Sequence, residues 1–140
     1  MNSAVHQATC VSIGGRAVLI EGPPGSGKSS LALALVDRGA ELIGDDGVTL
    51  STRGEALWAD PPPNTAGQIE IRNVGLVEMP ATSGPVALLL RLDTDAPRFV
   101  EQAGTASFLG LEVPVIALFP DPSILPLRAE WALRQYGLRQ

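Results

Sequence analysis

The segment Ala17-Val18-Leu19-Ile20-Glu21-Gly22-Pro23-Pro24-Gly25-Ser26-Gly27-Lys28-Ser29-Ser30-Leu31-Ala32-Leu33-Ala34-Leu35-Val36 decides how the chain is read. It opens with a short apolar run, passes through a glycine- and proline-rich loop and ends in apolar residues at helical spacing. The middle portion, Gly22 to Ser29, is a complete GxxxxGK[ST] match lying between a strand and a helix. A polyphosphate needs this combination. Glycines let backbone N–H groups turn inward, a helix N-terminus adds a favourable dipole, Lys28 neutralises the terminal phosphates and Ser29 offers a hydroxyl to a divalent cation. A glycine-rich turn that merely caps a helix would not require the whole pattern in this context. Gly22, Pro23, Pro24, Gly25, Ser26, Gly27, Lys28, Ser29 and the adjoining Ser30 are therefore the candidate nucleotide-binding residues.

The pattern extends in both directions. Thr9 to Ile13 and Ala17 to Glu21 are strand-like runs joined through Gly14 and Gly15, a pair suited to a tight hairpin. Lys28 to Arg38 reads as a helix, with Leu31, Ala32, Leu35 and Val36 on one side and Gly39 where a C-terminal stop belongs. Glu41 to Gly44 and Val48 to Leu50 are short strands around Asp45 and Asp46. Ile69 to Val77 alternates apolar with polar before turning, Val86 to Leu92 has the continuous apolar character of a strand buried on both faces, and Val113 to Phe119 is another strand. Ala96 to Gln102 is expected to form a short helix and Leu127 to Tyr136 a closing one. Mixed strands and helices in this order indicate an α/β domain, and 140 residues suit a single domain covering positions 1–140.

Composition narrows the function. Ten Lys plus Arg against fifteen Asp plus Glu give a net charge of −5 without any basic run, so neither a nucleic-acid nor an anionic-membrane partner is expected. Cys10 is the single cysteine, which excludes an intrachain disulfide or a cysteine-built zinc site and suits a cytoplasmic protein. The apolar stretches are of strand length, short of the roughly 20 residues a membrane helix needs. Met1 to Thr9 carries neither the cationic nor the apolar region of a signal peptide.

Phosphoryl transfer also needs a carboxylate near the acceptor and an acidic contact to the metal shell. Asp45 and Asp46 follow Lys28 by about fifteen residues, the length of one helix and a return strand, which would bring them to the loop. An ordinary Asp-Asp turn before a strand has the same spacing. Glu70 and Arg72 share one face of a strand whose Ile69 and Ile71 face the core, an arrangement that projects a carboxylate and a guanidinium into a cleft or forms a solvated cross-strand pair.

Three segments in order, VLIEGPPGSGKSSLALALVDRGAELIGDD, ADPPPNTAG and QIEIRNVGLVEM, resemble the catalytic domain of HPr kinase/phosphorylase, with a weaker echo in GLEVPVIAL. The resemblance runs from about Val5 to about Val86. It implies a fold related to phosphoenolpyruvate carboxykinase, a mixed β-sheet with flanking helices, in the short form without the family's N-terminal domain, like those of alphaproteobacteria. The implied activity is ATP-dependent phosphorylation of a serine in the phosphocarrier HPr, reversed by phosphorolysis in some members, and family members assemble as hexamers.

Carried over residue by residue, the resemblance makes Gly22 to Ser29 the ATP site, gives Lys28 the transferring phosphate and places Ser29 with Glu70 in the Mg²⁺ shell. Asp46 becomes the base that accepts the serine proton, with Asp45 beside it, and Arg72 matches the signature segment, in which Asn73 replaces the usual glycine. His6 lies near the family's active-site histidine but is displaced by one residue, with Gln7 in the expected place; a bulge before Ala8 would restore it. Between Phe99 and Leu127 there is no Lys or Arg, where the family carries a loop arginine; Arg128 is the nearest replacement and Arg98 the next. Two other functions use the same loop: a P-loop kinase of a small metabolite, which needs an arginine-bearing lid, and an ATP-switched regulator without catalysis.

Overall fold

The structure is a computed structural model and describes residues 3–139. Its elements in chain order are β1 (Ser3–His6), β2 (Thr9–Ile13), β3 (Arg16–Glu21), α1 (Lys28–Asp37), β4 (Glu41–Gly44), β5 (Val48–Arg53), β6 (Ala56–Asp60), β7 (Gln68–Ile71), β8 (Gly75–Glu78), β9 (Gly84–Leu92), β10 (Gly104–Phe108), β11 (Leu111–Leu118) and α2 (Leu125–Tyr136).

The sheet is organised around β9. One edge of β9 pairs in parallel with β3, which continues through antiparallel β2 to β4. Its other edge is shared. Pro85 and Gly84 pair with β6, which leads to β5 and β1, while Leu89 to Leu92 pair in parallel with β11, which leads to β10. A strand with neighbours on both edges and layers on both faces must be apolar at every position, hence the unbroken Val86-Ala87-Leu88-Leu89-Leu90, all fully buried.

Strand alternation, shifted by one residue at Ala87 where the register with β3 slips, divides these side chains between two cores. Val18, Ile20, Leu88, Leu90 and Leu92 point to one face, where they meet Leu31, Leu35, Ala129 and Leu133 of the two helices. Ala17, Leu19, Val86 and Leu89 point to the other, against Ile43, Val48, Leu50, Leu57 and Val113. Both helices therefore cover the same face, tied to each other by Arg38, whose Nε and Nη2 each donate to Glu130 at 2.8 Å. The opposite face is closed by strands.

The Gly14-Gly15 hairpin forms as expected, with φ of 58° and 86°. The expected helix over Ala96 to Gln102 does not form. Pro97 supplies no N–H and disfavours helical geometry at Ala96, and Asp93 instead closes a local turn, accepting from Asp95 N–H through its side chain and from Ala96 N–H through its carbonyl. β1, β6 and β10 lie outside the strands expected from sequence. Each is short and only partly buried, so its apolar pattern is weak. No helix among the described residues is long and apolar enough to cross a membrane.

Candidate active site

The site forms where β3 delivers the chain into the glycine-rich loop and α1 carries it away. Gly27, at φ 101°, precedes Lys28, and no side chain caps the helix N-terminus, so its first N–H groups are available to an anion. Lys28 Nζ folds back over the loop, donating to Gly22 O at 2.8 Å and to Pro23 O at 3.4 Å. Phosphate oxygens would compete with these carbonyls for the same ammonium.

β4 runs in the same direction as β3, two places across the sheet, because each is antiparallel to β2 between them. Its end therefore lies beside the loop, and it turns sharply there. Gly44 is required in that turn, since a Cβ would sit 2.1 Å from Gly47 O. The turn separates the two aspartates. Asp45 faces inward: its Oδ1 accepts from Ser29 Oγ at 2.6 Å and from Thr9 Oγ1 at 3.4 Å, and its Oδ2 accepts from Glu70 N–H at 3.2 Å. Asp46 adopts a left-handed backbone, φ 63°, and its exposed carboxylate makes no hydrogen bond among the described residues.

A cleft of about 620 Å³ collects Lys28, Ser29, Ser30, Asp45, Asp46, Glu70 and Arg72, together with Thr9, Thr65 and Gln68. A recess of about 350 Å³, lined by Gln7, Ala8, Glu21, Gly22, Pro24, Lys28 and Asp46, adjoins it. A further cleft of about 630 Å³ lies along the outer side of the loop, between Pro23, Pro24 and Ser26 on one wall and Arg91, Asp93 and Pro120 on the other.

His6 lines none of the three. It ends β1, its Nε2 lies 2.6 Å from Glu21 Oε2, and its ring meets Phe108 edge-on. No bulge precedes Ala8; the register shift in β2 falls at Cys10 and Val11. Gln7 is the residue that reaches the recess. Arg98 and Arg128 line none of the clefts either, whereas Arg91 does, and its Nε donates to Glu21 Oε1 at 3.4 Å. Sequence reasoning passed over Thr9, Glu21 and Arg91. The signal for Arg91 was available: it is the one charged residue in the buried run of β9.

The Ser29 hydroxyl and the carboxylates of Asp45 and Glu70 all line the larger cleft and offer only oxygen donors. Such a set fits a small hard cation that keeps several waters and is completed by substrate phosphates. Among the described residues no three His, Cys, Asp or Glu side chains cluster into a self-sufficient metal cage.

The family model of the HPr serine kinase C-terminal domain matches residues 1–92. The chain belongs to that family. Among curated HPr kinase/phosphorylases, the protein of Clostridium acetobutylicum is 35% identical over 92 residues, covering 66% of this chain and 30% of the relative. That of Chlorobium phaeobacteroides strain BS1 is 32% identical over 152 aligned positions, covering 94% of this chain and 45% of the relative. The chain thus spans less than half the length of these relatives. A solved structure, the Hpr(Ser) kinase/phosphatase from Coxiella burnetii, superimposes with a TM-score of 0.84 at 30% identity, covering 94% of this chain and 88% of that one. The likeness in fold therefore extends beyond the matched segment, which ends with β9, into the part of the chain that holds β11 and α2. The turn at Asn73 has φ 70°, a left-handed conformation that asparagine tolerates better than most side chains.

Proposed function

We propose that this HPr serine kinase family member transfers the terminal phosphoryl group of ATP to a serine hydroxyl of the phosphocarrier HPr. The observation that carries the reading is the convergence of Lys28, Ser29, Asp45, Asp46 and Glu70 on one cleft at the N-terminus of α1. Loop N–H groups and the Lys28 ammonium hold the phosphates and offset the charge that spreads over the transferring group. Ser29, Asp45 and Glu70 would hold Mg²⁺, which supplies charge neutralisation across the phosphates. Asp45 already orients the Ser29 hydroxyl toward that position. Asp46, whose carboxylate is uncommitted, accepts the serine proton as the new O–P bond forms.

The forward direction needs only these groups. The stretch from Phe99 to Leu127 that would supply the family's loop arginine has no cation, so the forward reaction is the direction assigned. HPr as substrate places the enzyme in the cytoplasm. The exposed Leu127 and Trp131, one turn apart on α2, with Ile124 just before it, support a homo-oligomer, as the resemblance implies.

The test is incubation with ATP, Mg²⁺ and HPr from the same organism, read by intact-mass spectrometry, with Asp46→Asn in parallel. One added phosphate mapped to serine, absent with the variant, is expected. ATP binding without transfer to HPr would move the acceptor elsewhere or make the protein a nucleotide-switched regulator.

A further inference from the structure

Three parallel strands end together beside the loop. β3 and β9 run the same way with Glu21 opposite Arg91, and β9 and β11 run the same way with Leu92 opposite Leu118. In sheets of this kind ligands bind in the crevice outside the carboxyl ends of the strands. Here that crevice is the cleft of about 630 Å³ on the outer side of the loop, a volume in the range of small-molecule sites. Lys28 and the cation donors Ser29, Asp45 and Glu70 do not line it; they belong to the larger cleft.

The chemistry of the outer cleft suits an uncharged group. Pro23 and Pro24 on the loop, with Leu92 and Pro120 at the strand ends, give it apolar surface. Its charged residues are Glu21, Arg91 and Asp93, two carboxylates against one guanidinium, a balance that disfavours a phosphate. Asp93 is held in place at the end of β9: its N–H donates to Leu118 O at 2.9 Å, and one carboxylate oxygen accepts from Asp95 N–H at 2.8 Å. The other carboxylate oxygen and the Thr94 hydroxyl have no partner among the described residues, and both residues line the cleft. A carboxylate at the end of a parallel strand is a group that takes the hydroxyls of a ribose. Arg91 Nε donates to Glu21 Oε1 at 3.4 Å, which aligns a planar cation of the kind that stacks on aromatic rings.

A nucleotide whose phosphates lie in the loop must leave it on one side. The larger cleft presents Asp45, Asp46, Glu70 and Arg72 there, whereas the outer cleft has the loop residues Gly22 to Ser26 as its own wall and apolar surface beyond them. Resting on the reading of the site as an ATP-dependent kinase, we infer that the nucleoside lies in the outer cleft, with Asp93 and Thr94 on the ribose hydroxyls and Arg91 against the base. These residues make and break no bond. They select the donor, favouring a nucleoside triphosphate over a bare polyphosphate.

The experiment measures, by calorimetry with Mg²⁺, the binding of ATP, 2′,3′-dideoxy-ATP and inorganic tripolyphosphate to wild type, Asp93→Asn, Thr94→Val and Arg91→Lys. Asparagine keeps an acceptor for Asp95 N–H and lysine keeps a cation beside Glu21, so each retains its local partner. Wild type should bind ATP about tenfold more tightly than the dideoxy analogue, and tripolyphosphate more weakly than either. Asp93→Asn and Thr94→Val should weaken ATP by roughly three- to tenfold and leave the other two probes within about twofold. Arg91→Lys should weaken ATP and the dideoxy analogue by the same factor and spare tripolyphosphate, whose binding also reports a folded loop. Equal affinity of wild type for all three probes overturns the inference, as does a loss in Asp93→Asn that falls equally on ATP and tripolyphosphate. The wild-type comparison needs no variant to fold. ATP binding with the expected ranking but without transfer to HPr upholds the inference and removes only the acceptor; binding of none of the three probes overturns the nucleotide reading and the inference with it.

Discussion

Replacing Asp45 with asparagine tests whether this carboxylate holds the site together before any substrate binds. In the structure it joins three parts of the chain: Ser29 on α1 at 2.6 Å, Thr9 on β2 at 3.4 Å and the Glu70 N–H on β7 at 3.2 Å. A hydrogen bond to a charged group contributes about 1.5–3 kcal/mol. The Thr9 contact is long and counts little, and partial exposure brings the other two to the lower end, giving about 3 kcal/mol for Asp45→Ala by the same scale. In Asp45→Asn the Ser29 contact survives as a neutral bond of roughly half the strength, while the amide nitrogen is turned toward the Glu70 N–H, donor against donor. A loss of about 2 kcal/mol follows, a factor of roughly 30 in the folding equilibrium. Asp46→Asn is the control: its carboxylate has no bond to lose, and asparagine accepts φ 63° as readily as aspartate. Its stability should match wild type within about 0.5 kcal/mol. Urea unfolding without nucleotide, compared at a common slope, reads both. Equal midpoints for the two variants would refute the assignment of Asp45 as the residue that ties loop to sheet.

Other outcomes follow from the same geometry. Asp46→Asn should leave ATP affinity nearly intact and lower kcat by about 10²-fold or more, whereas Lys28→Ala should weaken ATP binding and abolish transfer, both measured by calorimetry and phosphoryl-transfer assay. Gly44→Ala forces a Cβ to within 2.1 Å of Gly47 O and 3.0 Å of Pro62 Cδ, so unfolding experiments should show a loss of about 3 kcal/mol, with ATP binding weakened because the aspartate turn is displaced. Burial pushes the Cys10 thiol far above its ordinary range, so a thiol reagent at pH 8 should label the native protein only at the rate of its unfolding. Rapid labelling of folded protein would show that the β2 region opens locally.

Much of the fold was legible because its signals are local. The Gly14-Gly15 hairpin, the loop, α1 with its stop at Gly39 and the apolar run of β9 each depend on residues close in sequence. β7 was visible from the alternation of Ile69 and Ile71, and the structure separates it from β8 by the turn at Asn73. β6 and β10 were not, because what makes them strands is the partner each finds across the sheet. The segment after Asp93 failed as a helix for a reason also present in sequence, Pro97.

The sequence by itself determined the chemistry on offer: a phosphate cradle between a strand and a helix, a lysine and a serine within it, and a pair of carboxylates one helix and one strand downstream. These follow from spacing, since backbone geometry sets how far a loop, a helix turn or a strand residue reaches. Only the tertiary structure decided which member of each adjacent pair faces the site. Asp45 points at Ser29 and Asp46 at open cleft because Gly44 and Gly47 close a turn between them; Gln7 enters the recess and His6 does not because the link between β1 and β2 rotates the chain there. Arg91 joined Glu21 for a similar reason, as β9 pairs with β3 in a register that sets the two side by side. Neighbouring residues in a chain point in different directions, and the side each one takes is set by burial against segments far away in sequence.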